Sequence, residues 1–221
     1  MYRQPVEGGA AELLAKSETR DVRVESWHPN GKTLSFLQTQ DAGGDIWILP
    51  MDGDRKPQPL VKTAENERYS TFSPPDGRWF AYITGAASGG GFQVFVQPFP
   101  PTGAKYQITT DGGTNPVWSH DGKQLFYNTV AGTTQTTAPG KLVAVDIRTQ
   151  PGFTFRNPVE IPITGAVLGG TGTNYDVSPD DKQFVVVQSS SSSADPTRRI
   201  NSQINVILNW FTELQQRVPV K

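Results

Sequence analysis

Apolar and polar positions alternate along this chain in short runs, and the runs return at a regular interval. "WHPNGKTLSF" occupies residues 27–36, "FSPPDGRWFAY" 72–82, "WSHDGKQLFY" 118–127 and "VSPDDKQFVV" 177–186. Aligned on their polar centres, they put Trp27, Phe72, Trp118 and Val177 in one column. Leu34, Phe80, Leu125 and Phe184 form a second column, and Phe36, Tyr82, Tyr127 and Val186 a third. The first column recurs after 45, 46 and 59 residues, the last interval being swollen by "TVAGTTQTTAPG" and "TGAVLGGTGTN". Alternation of this period places one set of side chains inward and the other outward, so each run predicts two strands joined by a tight turn.

A second apolar element follows each run: "DIWILPMDG" (45–53), "QVFVQPFPPTG" (93–103), "KLVAVDIRT" (141–149) and "INVILNWF" (204–211). A third follows the first three: "QPLVK" (58–62), "YQITT" (106–110) and "VEIPI" (159–163). β-branched and aromatic residues dominate all of them, as strands require. One unit therefore reads as four antiparallel strands in about 45 residues, the size of a propeller blade. The chain predicts an all-β, single β-propeller region over 1–221. It comprises a partial blade at 2–15, blades at about 22–63, 68–110 and 115–163, a partial blade at 174–212 and a tail at 213–221. "YRQPVEGGAAELL" matches the third and fourth strands of a unit, with Pro5 aligned to Pro50 and Pro98 and Leu14 to Leu60. The strands total about 17, against roughly 24 for a six-bladed ring. The expectation is an incomplete propeller, the C-terminal part of a ring of six or more blades, with apolar edges prone to self-association.

Composition sharpens this picture. Gly (22) and Pro (18) are abundant, as in a turn-rich β protein. Lys plus Arg (20) balance Asp plus Glu (21), which gives no electrostatic reason to expect nucleic acid or an anionic membrane surface as a partner. The absence of cysteine excludes disulfides, thiolate chemistry and Cys-based zinc sites. No apolar run approaches the roughly 18–20 residues that span a bilayer. "MYRQPVEGGAAELLAK" lacks the apolar stretch of a secretion signal, and "NWFTELQQRVPVK" reads as a chain terminus.

Ser119, His120 and Asp121 carry the three side chains of a hydrolytic triad in a row. Neighbours on an extended segment point to opposite faces and cannot form a relay. The equivalent turns hold Asn30 where a catalytic acid would be needed, and Pro29, Pro74 and Pro179 around His120's place. Asn30, Gly31, Asp76, Gly77, Asp121, Gly122, Asp180 and Asp181 are thus read as structural turn residues. Gly77 and Gly122 should adopt positive φ, while Asp181, standing where glycine is usual, should weaken its turn. No catalytic, cofactor-binding or metal-binding residue is assigned. His28 lies in another such turn, so there is no histidine cluster. "GAASGGG" (85–91) and "GGTGTN" (169–174) fit neither a P-loop nor a dinucleotide fingerprint and read as blade loops. "MDGDRK" and "TTDGG" offer too few spaced oxygens for an EF-hand, leaving a structural calcium ion without support. "SSSSSADPTRR" (189–199) reads as a low-complexity connector, and Trp47, Trp79 and Trp210 as core or inter-blade packing.

The pattern S-P-D-G-K/R-x-Φ-x-Φ, followed by D-I-W/Y-x-x-D/P-x-x-G, resembles the TolB-type, WD40-like β-propeller repeat across essentially the whole chain. "FSPPDGRWFAY", "WSHDGKQLFY" and "YDVSPDDKQFVV" carry it most clearly. "VFVQPFPPTGAKYQITTDGGTNPVWSHDGKQLFY" and "INVILNWFTELQQRVPVK" further resemble the C-terminal extracytoplasmic propeller of acidobacterial-type transmembrane serine/threonine kinases. The resemblance implies a non-catalytic sensor or interaction module outside the cytoplasm, tethered to the inner membrane through a preceding part. Its partners would be a protein, peptide or cell-envelope ligand at one propeller face. The kinase motifs are absent here, so any kinase activity would belong to another part of the parent. The alternative is the accessory, substrate-gating propeller of a prolyl-oligopeptidase-like hydrolase, whose Ser nucleophile elbow this chain lacks.

Overall fold

Short β-rich runs bounded by Gly, Pro and Asp close into hairpins, and the hairpins add up to four-stranded sheets. The computed structural model describes residues 1–16, 21–40, 43–85, 91–129, 140–163, 168 and 172–187. The second apolar element of the last repeat (204–211), Trp210, the connector 189–199, the tail 213–221 and most of the loops at 85–91 and 169–174 lie outside them. The described strands number sixteen and there is no helix among them.

Blade 1 contains β3 (Val22–Trp27), β4 (Thr33–Gln40), β5 (Gly43–Pro50) and β6 (Gln58–Val61), in that order across the sheet. Blade 2 contains β7 (Asn66–Phe72), β8 (Trp79–Gly85), β9 (Gln93–Pro98) and β10 (Tyr106–Gln107). Blade 3 contains β11 (Thr114–Trp118), β12 (Gln124–Asn128), β13 (Leu142–Arg148) and β14 (Thr154–Ile161). All pairings are antiparallel meanders, as hairpin connections of this length dictate. Two-stranded sheets flank them: β1 (Tyr2–Arg3) with β2 (Glu12–Leu13), and β15 (Tyr175–Val177) with β16 (Phe184–Val186). Among the described residues β1 and β2 pair only with each other, as do β15 and β16.

The core lies between blades, because each strand turns alternate side chains to the sheet before and the sheet after. Ile46 and Val61 of blade 1 meet Phe72, Phe80 and Tyr82 of blade 2. Ala81, Ile83, Val94 and Val96 on the opposite face of blade 2 meet Trp118, Leu125 and Tyr127 of blade 3. Phe126 and Leu142 of blade 3 meet Tyr175 and Val177. Met1 and Leu14, beside the N-terminal hairpin, rest on Leu34, Phe36, Leu49 and Met51. Met1 thus packs ahead of blade 1 as Ile46 packs ahead of blade 2. Trp79 lies between blades as expected, its ring against Tyr106 and Phe153, and Trp47 packs beside the Leu34 cluster. One member of the first column departs from the pattern: Trp27 is exposed, whereas Phe72, Trp118 and Val177 are buried.

Candidate functional site

The four turns chosen from the sequence are built alike. The N–H of Gly31, Gly77, Gly122 and Asp181 donates to the carbonyl of His28, Ser73, Ser119 and Ser178, at 2.8, 2.8, 3.0 and 2.8 Å. The side-chain oxygen of Asn30, Asp76, Asp121 and Asp180 accepts from the backbone N–H two residues on, at 2.9, 3.1, 2.9 and 3.2 Å. An amide oxygen serves that purpose as well as a carboxylate, which is why Asn30 can stand in the series. Gly31, Gly77 and Gly122 have φ of 70, 68 and 70°. These turns also touch one another across blades. A Cβ on Gly77 would lie 2.1 Å from the His28 ring of blade 1, and one on Gly122 would lie 2.3 Å from the Pro74 carbonyl oxygen of blade 2.

Asp181 stands where the other three turns have glycine. It adopts φ 58°, and its carboxylate accepts from the backbone N–H of His120 and Asp121 at 2.7 and 3.1 Å and contacts His120 Nδ1 at 3.0 Å. The side chain that a glycine would lack ties this turn to blade 3. Burial opposes ionisation of Asp181, but the His120 and Asp121 donors outweigh it and hold the carboxyl below its ordinary value. The apparent triad is correspondingly divided. Ser119 is buried, its hydroxyl donating to Asp121 and accepting the Gln124 N–H, while the His120 ring is engaged by Asp181.

The concave element that the sequence did not reveal lies along the first strands. β3, β7 and β11 each break register, at Val24/Ser26, Arg68/Thr71 and Thr114/Val117. Such bulges bend a strand and free its backbone groups. Pro116 has no N–H to offer the ladder, and Tyr69 and Asn115 take φ of 58 and 52°. Neighbouring blades satisfy what the bulges release. Glu25 of blade 1 accepts from the Tyr69 and Ser70 N–H groups of blade 2 at 2.7 and 2.8 Å. The Tyr175 hydroxyl donates to the Asn115 carbonyl at 2.6 Å, and the Asn115 amide to the Gly172 carbonyl at 3.0 Å. The Trp118 indole donates to the Thr71 carbonyl at 3.2 Å.

In front of these strands lies a cavity of about 670 Å³, walled by β3, β7, β11, β15 and β16. Its lining mixes exposed Val24 and Val185 with exposed Arg23 and Asp176. Arg23 lies over the Tyr69 ring, 5.0 Å from its centroid. The lining thus brings charged, aromatic and aliphatic surface together. No group of three or more His, Cys, Asp or Glu side chains that could hold a metal occurs among the described residues.

Two acids at the blade 1–2 junction hold protons more tightly than usual. Burial raises Glu25 against its hydrogen bonds from Ser70 and Tyr69. Its Oε2 lies 2.6 Å from Ser70 Oγ, which lies 2.9 Å from Ser35 Oγ, which in turn donates to the Ser26 carbonyl at 3.1 Å. Glu67 is almost wholly buried, with Oε1 accepting from Thr63 and Oε2 unpartnered. Burial raises it, and the nearby Asp45 carboxyl adds to the effect. An acid whose folded pKa exceeds its unfolded value stabilises most at low pH, and that contribution declines as pH rises above about 4.5. Relative to wild type, Glu67→Gln should therefore gain stability as denaturant unfolding moves from pH 4.5 to pH 8. A difference that stays constant across that range would contradict the assignment.

Successive four-stranded antiparallel sheets, packed face to face along their first strands, define a β-propeller. No family model and no curated protein matches the sequence. Among solved structures, TolB from Acinetobacter baumannii aligns with a TM-score of 0.64 at 15% identity, over 87% of this chain and 43% of that one. A protein described as TolB from Agrobacterium tumefaciens aligns at 0.57 and 20% identity, over 72% and 55%. An oligogalacturonate lyase in complex with manganese aligns at 0.55 and 15%, over 84% and 49%. The fold is that of a TolB-like β-propeller, represented here by a partial set of blades. The chain spans about half the length of the solved structures it matches.

Proposed function

We propose that this chain is a non-catalytic binding module that holds a protein, peptide or cell-envelope ligand at one propeller face. In this proposal it is the extracytoplasmic part of a larger bacterial signalling protein, anchored at the inner membrane through a preceding segment. A kinase-associated parent is favoured by the sequence likeness of residues 94–127 and 204–221 to such propellers. The observation that carries the binding role is the 670 Å³ cavity, to which four successive first strands contribute charged, aromatic and aliphatic groups. The Ser119 hydroxyl bonds to Asp121 and the His120 ring to Asp181, which supports a module without hydrolytic chemistry, and no cofactor is invoked.

The test is to select peptides from a random display library on the immobilised chain and measure their affinity for wild type and Val24→Trp. Val24 is exposed at the cavity, so an indole there fills the space without disturbing the core. Affinity should fall at least tenfold while the melting temperature is unchanged. Equal affinity for both proteins would place binding elsewhere. Ester and peptide substrates should not be turned over, and hydrolysis lost in Ser119→Ala would overturn the non-catalytic assignment.

A further inference from the structure

Asparagine followed by glycine occurs once in this chain, at Asn30–Gly31, and the pair forms the tip of the first of the four matched turns. Asn30 is exposed, and so are Asp76 and Asp121, its counterparts in blades that have a neighbour on each side. Exposure therefore belongs to this position of the repeat. The other asparagines among the described residues are poorer substrates for attack by the residue that follows. Asn115 and Asn157 precede proline, which has no N–H to give up, and Asn66 and Asn128 are buried. Asn174 precedes the bulky Tyr175.

The turn arranges Asn30 for attack on its own amide. Its Oδ1 accepts the Lys32 N–H at 2.9 Å, and that bond closes a ring containing both Cγ and the Gly31 nitrogen. The amide is thereby folded over the peptide bond that follows it. A donor on Oδ1 also stabilises the negative charge that develops there when Cγ is attacked. Nδ2, the leaving group, has no hydrogen-bond partner among the described residues, and Gly31 has no side chain to hinder approach. The Gly31 N–H donates to the His28 carbonyl at 2.8 Å, so this one bond has to open first. We infer that Asn30 is a site of spontaneous deamidation, and that its turn accepts the aspartate product as the matched turns accept Asp76, Asp121 and Asp180.

In the reaction the Gly31 nitrogen bonds to Asn30 Cγ and gives up its proton, while the Cγ–Nδ2 bond breaks and Nδ2 takes up a proton and leaves as ammonia. Water then opens the five-membered imide. Opening at Cγ gives aspartate on an unchanged main chain. Opening at the Asn30 main-chain carbonyl gives isoaspartate, whose main chain runs through Cβ and Cγ. The turn distinguishes the two products. In the matched turns a carboxylate accepts the N–H two residues on, as the amide oxygen of Asn30 does. An isoaspartyl link lengthens the main chain between His28 and Gly31, which disturbs their hydrogen bond and the pairing of Trp27 with Leu34. Asp76–Gly77 and Asp121–Gly122 are protected by charge, because their carboxylates pair with Arg78 and Lys123 and an ionised carboxylate resists attack by a nucleophile.

Incubation of the 221-residue chain in mildly alkaline buffer, followed by anion exchange, intact mass and peptide mapping, tests this directly. One amide should be lost before any other, with one ammonia released per chain, and the more negative species should map to Asn30. Asn30→Ser should remove that species, and Gly31→Ala, checked for folding by circular dichroism, should slow its formation at least tenfold. Asn30→Asp should melt at the wild-type temperature and co-elute with the aspartyl product, while the isoaspartyl product melts lower. Earlier loss of another amide, with Asn201 before Ser202 the main rival, overturns the proposal. So does a wild type that keeps all its amides, or a Gly31→Ala protein that converts at the wild-type rate. Asn30→Asp melting well below wild type, or isoaspartyl chains that melt as high as aspartyl ones, overturns the part assigned to the turn.

Discussion

Replacing Trp118 with alanine is expected to cost about 3–5 kcal/mol of folding stability, the range for deleting a large buried aromatic side chain. Its indole fills the gap between blades 2 and 3 and supplies the N–H that the Thr71 carbonyl takes up at 3.2 Å. Both losses occur at one place, so local collapse cannot recover them together. The control is Trp27→Ala at the same position of the repeat, expected to cost about 1 kcal/mol or less in dilute solution, as for an exposed position. Urea unfolding followed by near-ultraviolet circular dichroism would measure both. Similar costs would mean that repeat position, not the neighbouring blade, sets the energy.

The second large effect concerns glycine. Gly122→Val should destabilise by about 2–4 kcal/mol, because two penalties fall on one residue. The left-handed backbone at φ 70° costs an L-residue roughly 1–2 kcal/mol. A side chain there also meets the Pro74 carbonyl oxygen, 2.3 Å from the Cβ position, and has to push blades 2 and 3 apart. Gly31→Val separates the terms, since Gly31 has the same φ and open space around it, so only the first penalty of roughly 1–2 kcal/mol remains. Lys123→Ala, an exposed neighbour, should stay within about 0.5 kcal/mol. Equal melting shifts for Gly122→Val and Lys123→Ala would show that the turn is not held as described.

What the sequence revealed and what it hid divide along the range of the interactions. Alternating Leu34, Phe36 or Leu125, Tyr127 and the Asp-Gly turns are local signals, and they carried the blade layout. The bulges left no such mark. Glu25, Ser70, Pro116 and Tyr175 occupy one column of the repeat, yet an acid, a hydroxyl, an imino acid and a phenol share no pattern. Their partners lie far off in sequence: Glu25 reaches Ser70 at a separation of 45 residues, and Tyr175 reaches Asn115 at 60. Trp27 shows the converse, because its column predicts burial and its side chain is exposed. Asp181 reads in the sequence only as a departure from glycine, because the acceptor it offers is used 61 residues away, at His120.

The succession of turn contacts has a consequence for how such a chain can be rearranged. Three junctions between blades of similar outline are fastened by three different chemistries: a histidine ring over Gly77, a backbone carbonyl against Gly122, and a carboxylate from Asp181 gripping two amides. Blade 3 moved to follow blade 1 would bring Gly122 against a ring instead of a carbonyl. The β15–β16 hairpin moved to follow blade 2 would point the Asp181 carboxylate at Pro74, which has no amide hydrogen to give. The blades are therefore keyed to their neighbours, and shuffled or duplicated orders would lose fastenings that no change in the strands themselves could restore.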